Sequence, residues 1–282
     1  MLVHWGQPMA KGQPFKYGRR ACIFCGGNGM SKEHIWARWM KPYLPKNAPP
    51  FSHLKVQVHP THETRTERKE NRSTYSGTVK LVCEQCNNGW MSALQSATKP
   101  ILIPLMDGVK TALTRKEQSI LSSWVSMFVM VAEFQQPDGV AIPDETRRLF
   151  KKTQLAPDNW SIWVGIYERQ KWNGVTVHST ISVSSAKDGI YPSKPDGSPR
   201  PNTHATTVVI GKLYVHVMGS VFPEFARKQR LDRAGFPMTR LWPRGVRPFS
   251  WASPALSDDH AYRIATALID FYRRKLPAEK GG

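Results

Sequence analysis

The sequence predicts an α+β protein with a small cysteine-bearing unit followed by a larger unit of sheet and helices. All four cysteines lie between Cys22 and Cys86. Segments rich in Val, Ile, Trp and Tyr, which are typical of strands, are concentrated in residues 161–217. With 40% apolar residues, the chain can form a sizeable hydrophobic core. The expected domains are therefore residues 1–100 and 101–282.

The chain is strongly basic. It has 40 Lys and Arg residues against 21 Asp and Glu residues, a net charge of +19 and a pI near 10.0. Such an excess favours polyanionic partners. Nucleic acid is favoured over lipid, because the longest apolar run, from Ile120 to Phe134, is shorter than the roughly 20 residues that span a bilayer. We expect a cytoplasmic protein with no membrane partner, since no secretory signal is recognisable.

Short elements are expected in the first domain. Residues 61–73 are charged and polar, which favours an exposed insertion over a core element. Residues 78–82 alternate between apolar and polar side chains and predict a short strand that runs into Cys83. Residues 87–95 predict a short helix. We expect it to stop near Pro100, because proline disfavours a helix interior.

The second domain has clearer helix signals. Thr114 and Glu117 have the spacing of a capping box, ahead of an apolar helix that ends near Gln136. Pro143 predicts the first turn of another helix, which continues through Leu155. The remaining expected elements are three strands in an antiparallel meander and a final amphipathic helix: residues 161–168, 175–184, 206–217 and 258–276.

The four cysteines form two C-x-x-C pairs, Cys22 with Cys25 and Cys83 with Cys86. Each pair places two thiolates on one tight turn, and two pairs supply the four sulfur ligands of a tetrahedral structural Zn²⁺. Because sulfur would fill every position, this metal is expected to hold structure and not to perform chemistry. Unrelated buried cysteines or a redox pair are the alternatives. Three tryptophans are expected to pack this unit rather than to stack on bases: Trp36, Trp39 and Trp90.

A second pattern accompanies the cysteine pairs. Glu33 and His34 follow the first pair, and Asn87 comes directly after the second. In these residues the sequence resembles the HNH, or His-Me finger, endonucleases, in particular the four-cysteine zinc branch to which phage endonuclease VII belongs. The resemblance covers roughly residues 20–98. It implies a ββα-metal (treble-clef-like) module, in which a β-hairpin and a helix hold one catalytic divalent cation.

The resemblance also implies a role for each matching residue. Glu33 and Asn87 would bind a catalytic Mg²⁺ or Mn²⁺, and His34 would act as the general base that activates water. Carboxylate and amide oxygens are ligands that these hard cations prefer. Glu33 and His34 need an irregular strand in order to act on one phosphate, because neighbouring strand residues point to opposite faces. The alternatives are that Asn87 only caps a helix, or that Asn88 takes its place.

The expected function is metal-dependent hydrolysis of phosphodiester bonds in nucleic acid, in DNA more than in RNA, with the second domain choosing the substrate. A homodimer would suit the cutting of two strands. The alternative is a zinc-stabilised nucleic-acid-binding protein with a degenerate, non-cleaving site, and a third hypothesis is a zinc-scaffolded protein-interaction domain. Five basic residues are the expected phosphate contacts: Lys32, Arg38, Arg227, Lys228 and Arg230.

Overall fold

A computed structural model describes residues 2–4, 21–45, 51–58, 63–70, 78–135, 139–169, 171–184, 201–245 and 248–273 of the chain. The strands in these ranges are β1 (Leu2–His4), β2 (Met30–His34), β3 (Phe51–Val58), β4 (Glu63–Glu70), β5 (Thr78–Cys83), β6 (Trp160–Ile166), β7 (Val175–Ser184), β8 (Thr203–Ile210), β9 (Leu213–Ser220) and β10 (Thr239–Trp242). The α-helices are α1 (Glu84–Cys86), α2 (Ser92–Met106), α3 (Arg115–Ala132), α4 (Asp144–Thr153), α5 (Pro223–Arg227) and α6 (Asp258–Arg273). This mixture of helices and antiparallel sheets confirms the α+β class.

Six strands form the large sheet, in the order β1-β7-β8-β9-β6-β10, and every pair is antiparallel. β7, β8 and β9 form the expected meander. The predicted strand 206–217 is two strands, because Gly211 turns the chain with a φ of 55°. The meander prediction is wrong for β6, which pairs with β9 and not with β7. The reason is that β6 is buried along its whole length, so it occupies an interior position between β9 and β10.

α3 and α4 begin where the sequence predicts. The Thr114 hydroxyl accepts a hydrogen bond from the Glu117 backbone N–H, and the Glu117 carboxylate accepts one from the Thr114 N–H, which completes the capping box. α3 ends at Ala132 and a 3₁₀ turn follows it. Pro143 directly precedes α4. No helix within the described ranges is both long enough and apolar enough to cross a membrane.

α2 does not stop near Pro100. It continues through Pro100 and Pro104 to Met106, so the predicted helix end is wrong. One face of the helix is buried throughout, including Leu102 and Leu105. This burial favours a longer helix and outweighs the local cost of each proline.

Two smaller hairpins lie between β1 and β6 in the chain. β2 pairs with β5, and β3 pairs with β4 over eight residues each. β4 lies within residues 61–73, for which no strand was predicted. The alternation of apolar and polar residues along β3 is the sequence signal for this hairpin. His59 and His62, between the two strands, and residues 5–20 lie outside the described residues.

The core occupies both faces of the large sheet. α2, α3 and the cysteine-bearing unit pack on one face, and α5 and α6 pack on the other. The cysteine-bearing unit joins the first core through aromatic contacts. The ring centroids of Trp36 and Phe128 are 4.8 Å apart, and those of Trp90 and Phe150 are 5.7 Å apart. The two expected domains therefore share a continuous core, while a domain boundary near residue 100 stays a prediction.

Candidate metal centre and its neighbouring side chains

The four cysteines come together at the base of the β2–β5 hairpin. Their sulfur atoms all lie within 4.8 Å of one another, and Cys25 Sγ is 3.5 Å from Cys83 Sγ. A tetrahedral zinc site with Zn–S bonds of about 2.3 Å has S···S edges of about 3.8 Å, so this spacing suits a metal such as zinc. All four thiols are free of disulfide bonds. The predicted convergence of the two pairs is confirmed, and within the described residues no other cluster of His, Cys, Asp and Glu has this geometry.

Backbone hydrogen bonds shape the first cysteine turn. The N–H of Gly26 donates to the carbonyl of Cys22 over 2.8 Å, and Gly26 has a φ of 73°, a left-handed conformation that suits glycine. The next residue, Gly27, donates its N–H to Cys25 Sγ over 3.3 Å. The turn is attached to β5 because the N–H of Ile23 donates to the carbonyl of Leu81. This bond explains how residues far apart in sequence supply one cluster.

The thiols have unequal proton affinities. Burial raises the pKa of Cys86 to about 12, although the neighbouring Trp90 indole opposes the rise. Burial also raises the pKa of Cys25, and the hydrogen bond from the Gly27 N–H opposes this rise. At Cys83 burial acts in the same direction, but the backbone N–H of Cys86 and the neighbouring thiols outweigh it and lower the pKa. A bound dication would stabilise all four thiolates, which is what a metal requires of this donor set.

Glu33 and Asn87 meet beside this centre. Ser31 and Glu33 are two residues apart on β2, so they share one face of the hairpin. The Asn87 Nδ2 donates a hydrogen bond to Ser31 Oγ over 3.0 Å. The Asn87 amide is also close enough to the Glu33 carboxyl to lower its pKa. The structure thus brings together the two residues that the sequence selects as oxygen ligands.

Asn87 is not a helix N-cap. Its φ of −64° and ψ of −54° are helical, and the N-cap position of α1 belongs to Cys83. Asn87 opens the segment Asn87–Met91, which forms a kink between α1 and α2 because the backbone of Gly89 is not helical (φ −89°, ψ −112°). Asn88 is exposed whereas Asn87 is half-buried, and it is Asn87 that contacts the hairpin.

The Glu33 carboxyl titrates near neutral pH. Its burial raises the pKa to about 7 from the usual 4.5, and the neighbouring Asn87 amide opposes part of this rise. A partly buried carboxyl with such a pKa next to a polar partner is typical of functional sites. A cation bound at the carboxylate would lower the pKa again.

His34 ends β2 opposite Thr78 and is half-buried. The register of the hairpin shifts between Ser31 and Glu33, because Ser31 lies opposite Val82 and Glu33 lies opposite Val79. This shift inserts the extra residue into β5 and is not the irregularity expected between Glu33 and His34, which pair in regular register with Val79 and Thr78. The role of His34 as a general base stays a prediction.

The five basic residues expected to contact phosphate form two separate groups. Lys32 on β2 and Arg38 in the following 3₁₀ turn are exposed on the cysteine-bearing unit. Arg227 and Lys228 lie at the end of α5, which packs on the opposite face of the large sheet. Arg230 follows them and makes a bidentate ion pair with Asp232, with N···O distances of 3.0 and 2.7 Å.

Ser31 belongs to the Glu33–Asn87 site, although sequence analysis did not single it out. Its hydroxyl also donates to the carbonyl of Val82 over 3.1 Å. The alternation of side chains along a strand could have identified it, since a residue two positions before Glu33 must share its face.

Comparisons of the chain with models of protein families, with curated proteins and with solved structures found no match. The resemblance to a nuclease family therefore depends on the cysteine pairs, Glu33, His34 and Asn87. Independently of it, the structure contains a four-cysteine cluster that could hold a metal such as zinc, with a carboxyl and an amide in contact beside it.

Proposed function

We propose that the protein is a metal-dependent HNH-type endonuclease that hydrolyses phosphodiester bonds, with DNA as its preferred substrate. The observation that carries this proposal is the contact of Asn87 with the face of β2 that bears Glu33, where the Asn87 Nδ2 donates to Ser31 Oγ over 3.0 Å. These residues are distant in sequence, and they meet because the four cysteines join the hairpin to the helix. Binding alone would not require a carboxyl and an amide to be gathered in this way.

The donor atoms suit a hard divalent cation. Glu33 and Asn87 would hold Mg²⁺ or Mn²⁺ through carboxylate and amide oxygens, with water completing the coordination. When bound, the cation supplies charge stabilisation to the scissile phosphate and to the departing oxygen. His34 accepts the proton of the attacking water. The sulfur cluster takes no part in this chemistry, because zinc bound by four thiolates has no open position.

The positive charge of the chain supports an anionic substrate. The net charge of +19 attracts nucleic acid without regard to sequence. Lys32 and Arg38 are exposed on the same unit as Glu33, so they are the best placed of the expected cations to contact a phosphate near the site.

The experiment is a plasmid cleavage assay with the full-length, zinc-loaded protein. We expect nicked or linear plasmid when Mg²⁺ or Mn²⁺ is present and intact plasmid when they are omitted. His34→Ala should lower the rate by about 10²–10⁴-fold, the contribution typical of a general base. Zinc content and the circular dichroism spectrum should be unchanged in this variant.

His260→Ala is the matched control. His260 lies on α6, on the opposite face of the sheet, so its replacement should leave cleavage intact. Intact plasmid with every metal tested, and with both double- and single-stranded substrates, would contradict the proposal.

A second candidate, a zinc-stabilised nucleic-acid-binding protein without cleavage, is favoured by one feature. The raised pKa of Glu33 leaves much of its carboxyl protonated at neutral pH, which weakens cation binding. This function predicts salt-sensitive binding of DNA, no cleavage at any pH, and no effect of His34→Ala on binding.

A further inference from the structure

We infer that Ser31 is a positioning residue that sets the orientation of the Asn87 side-chain amide, so that its carbonyl oxygen, and not its nitrogen, is presented to a divalent cation. The inference rests on the proposed function, because it concerns the same cation site. It adds a residue that the nuclease resemblance does not include.

The orientation follows from the hydrogen bonds of Ser31. A serine hydroxyl has one hydrogen to donate and lone pairs to accept. The Ser31 hydroxyl donates its hydrogen to the carbonyl of Val82 over 3.1 Å, and Val82 is its partner in the β2–β5 ladder. Only lone pairs of Ser31 Oγ therefore face Asn87. A donor must lie opposite them, and this is Asn87 Nδ2 at 3.0 Å.

The remaining atoms of Asn87 are then determined. With Nδ2 directed to Ser31 Oγ, the carbonyl oxygen Oδ1 lies on the other branch of the planar amide and faces away from that hydroxyl. Oδ1 is the atom left to act as a ligand, and oxygen is what Mg²⁺ and Mn²⁺ accept.

Loss of the Ser31 hydroxyl would remove the hydrogen bond that determines which atom of the Asn87 amide faces the cation. An asparagine amide can rotate by half a turn at little cost when its neighbours do not distinguish oxygen from nitrogen. In Ser31→Ala the NH₂ group could then face the cation, where it repels the metal and supplies no lone pair. Residues that orient metal ligands in this way typically change metal affinity by 10–100-fold.

The test measures Mn²⁺ binding to the zinc-loaded full chain by electron paramagnetic resonance. We expect Ser31→Ala to weaken Mn²⁺ affinity by about 10–100-fold. Ser31→Thr, which keeps the hydroxyl and suits a strand, should restore affinity to within about threefold of the wild type. Plasmid cleavage at subsaturating Mn²⁺ should follow the same order.

Ser161→Ala is the matched control. The Ser161 hydroxyl also donates to a backbone carbonyl, that of Ala226 over 3.2 Å, but it lies on β6, away from the cation site. Ser161→Ala should lower the melting temperature about as much as Ser31→Ala does, while its Mn²⁺ affinity should equal that of the wild type.

The outcomes separate the two proposals. If the wild type binds Mn²⁺ and Ser31→Ala binds it equally tightly, the role of Ser31 is wrong and the nuclease proposal stands. If Ser31→Thr fails to restore affinity, the hydroxyl is not the cause, and the role is again wrong. If the wild-type chain neither binds Mn²⁺ nor cleaves, both proposals fail.

Discussion

Glu33 shows how a single buried group connects stability with chemistry. Its pKa is raised to about 7 in the folded protein by burial, against 4.5 for an ordinary carboxyl. Between these values the folded state binds more protons than the unfolded state. The contribution of Glu33 to stability is therefore fully present below pH 4.5 and is lost as the pH rises through 7. A shift of this size corresponds to about 3 kcal/mol.

Replacement of Glu33 by Gln should reveal how much stability the ionisation of this carboxyl removes from the folded protein. Glu33→Gln keeps the shape of the side chain but cannot ionise. At pH 8 we expect the zinc-loaded, Mg²⁺-free variant to be more stable than the wild type by up to about 3 kcal/mol, with little difference at pH 4.5. Urea unfolding at the two pH values measures this difference. Equal destabilisation at both would show that the carboxyl is not desolvated.

At the scale of elements, the β2–β5 hairpin and the kinked segment Asn87–Met91 depend on the sulfur cluster. A two-stranded hairpin is at best marginally stable alone. Here the first cysteine turn is bonded to β5, and β5 leads directly through Cys83 into α1. Metal bound by all four thiols would stabilise this arrangement by on the order of 10 kcal/mol.

Removal of one thiolate should therefore loosen the whole unit. We expect one zinc ion for each wild-type chain and much less for Cys86→Ser, with a melting temperature lowered by several degrees or more. The emission of Trp36 and Trp90, which pack in this unit, should shift toward that of solvated tryptophan. Ser96→Ala, at an exposed position of α2, is the control. A metal-free wild type of equal stability would contradict the prediction.

For the whole molecule, three histidines of the large sheet are buried among the residues whose burial the structure describes: His178, His204 and His216. Burial lowers the pKa of both His178 and His216 to about 4. It lowers the pKa of His204 well below the usual value, with the charges of His178 and Arg147 adding to the effect. These rings are held neutral among hydroxyls, with His178 Nδ1 2.8 Å from Thr206 Oγ1.

Acid should destabilise the fold through these rings. Between pH 6.5 and 4 the unfolded state binds protons that the folded state does not, so stability falls as the pH falls. For His216 the loss between pH 7 and pH 5 is about 2 kcal/mol. In His216→Gln, the fall in unfolding free energy between pH 7 and pH 5 should be smaller than in the wild type by about 2 kcal/mol. Urea unfolding of both proteins at the two pH values measures this difference. Glu33 contributes to the pH dependence with the opposite sign, but it is present in both proteins, so its contribution cancels in the comparison. An equal loss of stability in both proteins would contradict the prediction.

The large sheet also separates the two groups of expected phosphate contacts. Lys32 and Arg38 lie on the cysteine-bearing unit with Glu33, and Arg227 and Lys228 lie beyond the opposite face. In the proposed function, a nucleic-acid strand bound at Glu33 would reach the first pair directly. It would have to pass around an edge of the sheet to reach the second.

Charge reversal should therefore affect the two groups unequally. We expect Lys32→Glu with Arg38→Glu to weaken DNA binding and to reduce the slope of log affinity against log salt by about 2, one for each lost contact. Arg227→Glu with Lys228→Glu makes the same change in net charge and should have a smaller effect. Salt titrations of DNA binding for both variants measure this. A larger effect of the second pair would place the substrate on the α6 face.

The sequence by itself determined the features that depend on near neighbours. The two cysteine pairs, the capping box of Thr114 and Glu117 and the strand leading into Cys83 follow from side chains a few positions apart, whose partners lie within the same turn or strand. The nuclease resemblance selected Glu33 and Asn87, and it could not select Ser31, which acts through a hydrogen bond across the chain. Only the tertiary structure decided that contact, the place of β6 beside β9 and the passage of α2 through Pro100. In each case burial or pairing with a distant segment outweighs the local preference of the chain.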